Sequence, residues 1–519
     1  MYKSKTLKSL CLLLSVIFIF AMMLTGCGSS APKAAETTTA GTSTISESTA
    51  SASTHEAPKL DYAELTWYLP PPISPEKNQD NVMAEVNKQL KEKLNVKLTF
   101  NFIDWGNYDD KLRVMSAAGD PYDLTMATSW TNKLPINVAK GFYLPLDDLL
   151  AQYGQHVSAK VESKYWSATT FNGKVYAIPN PTTYASTSSF SYKRDLVDKY
   201  NFDYKNVHTL KELEPYLEII KKNENGITPL CATAKSTPGL TEEGIDKVNG
   251  FIGYNIKDSK FITFFDIQDR IDQFKTLSDF YKKGYIAKDA ATKTDYAAEG
   301  KSGKYAVMPS PGAYSEDGSK ATTVYGFPCY ESLYKQGLVS TNTVQGSTTA
   351  ISKTSKNPDR AMMLVDLLYS DKKFFNTVCY GIKGQDYTVV SGAGTDNPTV
   401  KTNADMTWMV YHPWIGSLFD QWPSNLNTQE ALDKMKKYND SSTISPLLGF
   451  NFDTEPVKQE VSQIQAIIDE IKPVLETGTA SDVDDYLAKG KERCVKAGLD
   501  NVMTEVRKQY EAWKAANGK

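Results

Sequence analysis

Apolar and polar residues alternate from Ala63 to Leu69 (AELTWYL), and the run stops at Pro70-Pro71-Pro72, which reads as a strand with an abrupt end. From Asn81 to Leu94 the period changes. Val82, Val86, Leu90 and Leu94 recur at helical spacing with Lys and Glu between them, the mark of an amphipathic helix. Val96 to Phe102 (VKLTFNF) alternates again as a second strand. Asp109 to Ala118 reads as a helix stopped by Gly119-Asp120-Pro121, and Tyr122 to Ala127 as a third strand. This order requires parallel strands joined by helical crossovers, so the fold class is α/β. Such sheets hold ligands at the carboxyl ends of their strands, which directs attention to the loops after Leu69, Phe102 and Thr128.

The middle of the chain predicts a second α/β lobe, with helices at Lys193 to Tyr200, Leu210 to Asn223 and Ile271 to Lys283 and a strand at Tyr305 to Met308. A long helix from about Pro456 and another from Asn501 to Ala515 end the chain. Asn172-Gly173 is the dipeptide of a two-residue hairpin turn.

Ahead of this body, Lys3, Lys5 and Lys8 precede an apolar run from Leu10 to Leu24 that is interrupted by Ser15. That is the basic and apolar layout of an export signal, and it is short for a membrane span. It ends in Leu24-Thr25-Gly26-Cys27, which resembles the bacterial lipobox. The resemblance implies that the Cys27 thiol receives a diacylglyceryl group and that cleavage makes Cys27 the new N-terminus. Two acyl chains give a lasting anchor. From Gly28 to Pro58, 21 of 31 residues are Ser, Thr or Ala, so this stretch has little to bury and reads as a flexible stalk with a reach on the order of 30 Å.

Composition narrows the function classes. With 58 Lys+Arg against 61 Asp+Glu, the charge of -3 excludes a generally basic nucleic-acid binder. An aromatic content of 11% excludes a mostly disordered chain. Six arginines (Arg113, Arg194, Arg270, Arg360, Arg493 and Arg507) leave few planar forks for carboxylate or phosphate. Cys231, Cys329, Cys379 and Cys494 form no C-x-x-C pair, and buried free thiols are expected, although three disulfide connectivities are open to them. The four histidines lie far apart and form no H-E-x-x-H, so neither a metal nor a cofactor is expected. G-x-S-x-G and phosphate-loop motifs are missing. A glycoside hydrolase would need two flanking carboxyls, which 61 acidic residues could supply in pairs that sequence cannot screen.

Several blocks together resemble the extracellular solute-binding proteins, family 1, the capture subunits of bacterial carbohydrate importers driven by ATP. They are Asn95-Val-Lys-Leu, Trp105-Gly-Asn-Tyr108, Ala118-Gly-Asp-Pro-Tyr-Asp-Leu124 and Ser129-Trp130. The likeness continues through Lys140 to Asp148, Asn172 to Pro179, Asn357-Pro-Asp-Arg-Ala361 and Tyr380-Gly-Ile-Lys-Gly384. Ser445 to Asp453 is similar to the C-terminal region of the LipO-like lipoproteins of Gram-positive bacteria, whereas Tyr411-His-Pro-Trp414 departs from the family's wording.

The resemblance implies a two-lobed, periplasmic-binding-protein-like fold with discontinuous lobes joined by crossover hinges. On that reading 1–26 is the signal, 27–60 the lipidated Cys and stalk, and 61–182 the first part of lobe one. Residues 183–345 begin lobe two, 346–390 return to lobe one, and 391–519 complete lobe two. The implied function is capture of an oligosaccharide, neutral or singly acidic, between closing lobes by a monomer lipid-anchored outside the cell membrane. The implied partners are two permease subunits with a cytoplasmic ATPase. A surface glycoside-active enzyme and a carbohydrate-sensing or adhesion domain are the alternatives. Aromatic side chains near the strand ends are candidate stacking faces: Trp67, Trp105, Trp130 and Tyr184, with Tyr314 or Trp414 closing from lobe two. Asn180 is the candidate hydrogen-bonding group at the hinge.

Overall fold

The computed structural model describes residues 60–72, 77–185, 188–311, 318–335 and 337–518. The expected signal, Cys27, the stalk and Tyr314 lie outside the described residues. The alternating segments fold as the pattern demands: β1 (Ala63–Leu69), α1 (Gln79–Leu94), β2 (Val96–Phe102), α2 (Tyr108–Ala118) and β3 (Leu124–Met126). β1 pairs in parallel with β2 from Ala63↔Val96 to Leu69↔Phe102, and with β3 at Trp67↔Leu124. Thr348–Ile351 returns antiparallel beside β3, and Ile178–Pro179 completes five strands. α1 buries Val82, Met83, Val86 and Leu90 and ends where Asn95 enters the left-handed region at φ 50°. α2 ends the same way at Gly119, φ 76°.

β3 is shorter than the alternation implies. Asp123 gives its N–H to the Thr66 hydroxyl (3.2 Å) and turns its carboxylate to the Thr66 N–H (2.8 Å) and hydroxyl (3.1 Å) of β1. The Asn172-Gly173 turn forms as expected, both residues at positive φ between Thr170–Phe171 and Lys174–Val175.

Lobe two has two cores. Around the strands Cys329–Lys335, Ser188–Lys193, Tyr305–Pro309 and Thr228–Leu230 pack Phe190, Tyr192, Leu217, Ile220 and Phe280. A second core lies between a three-stranded sheet (Ile245–Lys247, Ile252–Asn255, Lys260–Thr263) and the helices Lys458–Glu476, Val483–Lys496 and Leu499–Ala516. Buried Arg270 bridges Glu242 (3.3 Å) and Glu476 (2.5 Å), so the helix Gln268–Lys282 is tied to both neighbours of that core. Cys231, Cys329, Cys379 and Cys494 are free and buried. Burial pushes the Cys231 thiol up to about 12 and that of Cys494 up to about 11. Among the described residues no helix is long and apolar enough to cross a membrane.

Among the described residues, the chain passes between the two groups of strands near 182–185, 337–340 and 441–447. Leu338–Val339 pairs in parallel with Thr443–Ile444, which joins the second crossover to the third. Asn439 joins the third to the first: its Oδ1 accepts from the Ala185 N–H (3.0 Å) and its Nδ2 donates to the Thr182 carbonyl (2.6 Å).

The expected lobe boundary at 390 needs correction. Tyr387–Ser391 pairs with Thr399–Thr402 as a local hairpin and does not enter the five-stranded sheet. The chain therefore stays in lobe one. Trp408, Val410 and Ile415 pack in its core, with the Trp408 Nε1 donating to the Val378 carbonyl (2.9 Å) and the Val410 N–H to Cys379 (3.0 Å). His412 is buried in the same place, edge-on to Tyr380 (4.8 Å) and Phe375 (5.4 Å).

Trp67 is also a core residue and not a ligand face. It sits two positions inside the strand on the face shared with Ala63, Leu65 and Leu69, is 0% exposed, and packs on Phe100 at 5.9 Å. Trp67→Ala should cost about 3–5 kcal/mol of unfolding free energy, read by urea denaturation. A loss below 1 kcal/mol would contradict the packing.

Burial pushes the His412 imidazole down to about 3, so the native state keeps it neutral. The unfolded chain takes up that proton near pH 6.5, so stability holds above this value and falls as pH drops toward the folded value. From pH 7 to pH 5 the loss from this residue should be about 2 kcal/mol. Urea midpoints at both pH values should show His412→Phe losing that much less than the wild type. An identical pH slope in the two proteins would rule the assignment out.

Candidate functional site

The loops after β2 and β3 place two indoles side by side. Trp105 stands in the turn Asp104–Asn107, closed by the Asn107 N–H to Asp104 carbonyl bond (2.9 Å), immediately before α2. The first residue of α2, Tyr108, is fully buried and donates its hydroxyl to the Met126 carbonyl (2.9 Å), which fixes that turn against the end of β3. Burial pushes the Tyr108 phenol well above its ordinary range.

Beyond β3, Thr128 makes a tight side-chain turn. Its hydroxyl donates to the Thr131 carbonyl (2.8 Å) and accepts from the N–H groups of Trp130 (3.2 Å) and Thr131 (2.9 Å). Asp109 of α2 grips the far side, accepting from the Thr131 hydroxyl and the Asn132 N–H, both at 2.5 Å. Trp130 is thereby thrown outward. Its Nε1 donates to the Gly346 carbonyl (3.0 Å), and Ser129 donates through its N–H to Gln345 (3.0 Å) and through its hydroxyl to Asn342 (2.8 Å). The ring is held in orientation while half of it stays open.

Trp414 completes the surface. Its indole meets Trp105 edge-on at 5.6 Å, Trp105 lies 5.5 Å from Trp130, and Tyr411 packs edge-on to Trp414 at 5.6 Å. Trp105 is 46% exposed and Trp130 51%, among the most open large apolar side chains described. Trp414 was expected to approach from lobe two. It packs instead on the core of lobe one, on the same wall as the other two tryptophans, because the chain from Trp408 to Ile415 never leaves that lobe.

Two other expectations are also corrected. Asn180 is 0% exposed and fully committed to the protein: Nδ2 reaches the Pro413 carbonyl (2.8 Å) and Thr349 Oγ1 (3.1 Å), and Oδ1 accepts from the Tyr369 hydroxyl (3.0 Å). It positions the Trp414 turn, and the Ser347 hydroxyl assists by donating to the same Pro413 carbonyl (2.5 Å). Tyr184 is 2% exposed, ring-to-ring with Tyr165 at 4.4 Å, and spends its hydroxyl on the Pro179 carbonyl (3.0 Å). Burial pushes its phenol well up.

Sequence reasoning missed Asn342, Gln345 and Gly346, which contribute backbone carbonyls that no side-chain pattern marks. The nearby signal was the Ser340 cap, which exchanges hydrogen bonds with Thr343 at the start of the helix Thr341–Val344. Among the described residues no cluster of His, Cys, Asp and Glu could hold a metal ion.

Comparison with known proteins bears on the family and the fold. Residues 74–373 match the family model for the bacterial extracellular solute-binding protein, and residues 446–515 match a domain of unknown function, DUF3502. A carbohydrate ABC transporter substrate-binding protein of Streptococcus pneumoniae serotype 4 is 26% identical over 443 residues, covering 84% of this chain and 88% of its own. Among solved structures, the N-glycan transport solute binding protein NgtS of Streptococcus pneumoniae superposes with TM-score 0.78 at 24% identity, covering 87% of this chain and 99% of that one. In complex with Man1GlcNAc and with Man5GlcNAc the same protein superposes at 0.71 and 0.68. An extracellular solute-binding protein of Bifidobacterium longum subsp. infantis follows at 0.60 and 16% identity, covering 87% and 98%. With the two-lobed α/β architecture, the laced crossovers and the family match over more than half its length, the chain belongs to the bacterial extracellular solute-binding proteins.

Proposed function

We propose that this protein captures an oligosaccharide on the aromatic wall of lobe one, closes lobe two over it, and delivers it to an ABC-type importer. The partners would be two permease subunits and a cytoplasmic ATPase, and the protein would act as a monomer. The observation that carries the reading is the Trp105–Trp130–Trp414 wall, two half-open indoles at the carboxyl ends of parallel strands with Trp130 fixed by its bond to the Gly346 carbonyl. An indole left open to water forgoes the burial that normally stabilises it, and its rigid, exposed face suits the C–H surface of a sugar ring. The transport relatives support a sugar ligand. Tyr314, after the strand Tyr305–Pro309, remains the candidate contact from lobe two.

Calorimetry against Man1GlcNAc, Man5GlcNAc and a panel of plant and microbial oligosaccharides tests the proposal. Trp130→Ala should weaken binding about ten- to a hundredfold, the effect of losing a stacking face worth roughly 1–3 kcal/mol, and leave the melting temperature of the free protein nearly unchanged. Hydrolysis of the sugars without a stable complex would defeat it.

Cys27 would carry the lipid that holds the protein at the outer face of the membrane, with 28–58 as its tether. Expressed in a Gram-positive host, Cys27→Ala should appear full-length in the medium. Unchanged membrane retention would refute the anchor.

A further inference from the structure

Trp130 takes its orientation from a helix too short to stand alone. The carbonyls that hold its loop from outside are those of Asn342, Gln345 and Gly346, within or directly after the four-residue helix Thr341–Val344. A single helical turn has a costly nucleus and almost no propagation to offset it, so its place is imposed by ties to other elements. Two of those ties come from the start of the C-terminal region matched as DUF3502.

The Thr341 hydroxyl donates to the Leu447 carbonyl (3.0 Å) and accepts from the Gly449 N–H (2.9 Å), both inside the protein. Gln345 is fully buried and its Nε2 donates two ways, to the Ala168 carbonyl of lobe one (2.6 Å) and to Asn451 Oδ1 (2.8 Å). Its Oε1 finds no hydrogen-bond partner among the described residues. An apolar side chain of similar size would avoid that cost, so the residue is there for its donor. Gly449 adopts φ 98°, and a Cβ on it would stand 3.0 Å from that of Ser167, so the segment runs tight against lobe one. The side chains of Leu447 and Phe450 meanwhile enter the core shared with the helices Lys458–Glu476 and Leu499–Ala516. The segment is thus fastened to the C-terminal helices by its apolar side chains and to the short helix by its polar groups.

We propose that residues 447–451 are a positioning element of the tryptophan wall, acting through Thr341 and Gln345 as positioning residues. The C-terminal region holds the short helix, and the carbonyls at its end hold the Trp130 indole at the angle a ligand meets. The proposal rests on the oligosaccharide reading for what the wall binds, and it gives the C-terminal region a part in affinity exerted at a distance.

The free protein tests the positioning before any ligand is added. Trp105 and Trp130 lie 5.5 Å apart with their planes at 35°, close enough for their excited states to couple, so the circular dichroism that vanishes with Trp130→Ala reports their mutual angle. Thr341→Val, which keeps the shape and deletes the hydroxyl, should lose part of that signal, and Thr341→Ser should retain it. Asn451→Ala, at a half-buried position, should lose it too, and carries the same test should Thr341→Val fail to fold. Calorimetry with Man5GlcNAc then closes a double-mutant cycle. Asn451→Ala should weaken binding about three- to tenfold in the wild type and have no effect once Trp130 is Ala. Unchanged dichroism in the folded variants, or equal losses of affinity with and without Trp130, overturns the positioning role. Failure of the wild type to bind any sugar overturns the oligosaccharide reading, while the dichroism of the free protein still decides the positioning.

Discussion

Asn180 joins three parts of lobe one that are far apart in sequence. Its carboxamide bonds the return strand at Thr349, the helix Pro358–Ser370 at Tyr369, and the turn carrying Trp414 at the Pro413 carbonyl. None of these groups reaches water, so removing the amide would strand several polar partners at about 1–3 kcal/mol each. Neighbouring Ser347 adds a second donor to the same carbonyl. The position of Trp414 against Trp105 follows from this node, because the turn is drawn inward at Pro413 and its next residue projects toward the strand ends. The two sides of the wall thus have different supports: a buried amide for Trp414, and the Thr128 turn with Asp109 for Trp130.

Both supports lie wholly inside lobe one. The crossovers are laced to each other by Asn439 and by the short pairing of Leu338–Val339 with Thr443–Ile444. Within lobe two the Arg270 bridge does for its two cores what Asn180 does for the wall, at the cost of burying charge that must stay paired.

The first three strands and two helices were readable to within a few residues because burial there follows a clean period of 2 or 3.6. The lobe boundary after Tyr387 was not, since a local hairpin and a sheet strand share the same alternation and only pairing distinguishes them. Aromatic residues divided along the same line. Trp105 and Trp130 stand in loops beyond strand ends, where the sequence position itself implies exposure. Trp67 lies within a strand, where alternation assigns it to the buried face. Asn180 and Tyr184 follow a strand end too, but Asn180 is covered by Thr349 and the Pro413 turn, far along the chain, and Tyr184 by the ring of Tyr165.

The uneven burial of the tryptophans makes the molecule its own optical reporter. Trp67 and Trp408 are sealed at 0% exposure and would emit to the blue whatever the lobes do, whereas Trp105 and Trp130 face water as a coupled pair 5.5 Å apart. Desolvating that pair would shift its emission from the red toward the blue, over a contribution from the sealed tryptophans that stays fixed. Difference emission would then follow occupancy of the wall in real time, without a label and against a constant internal standard.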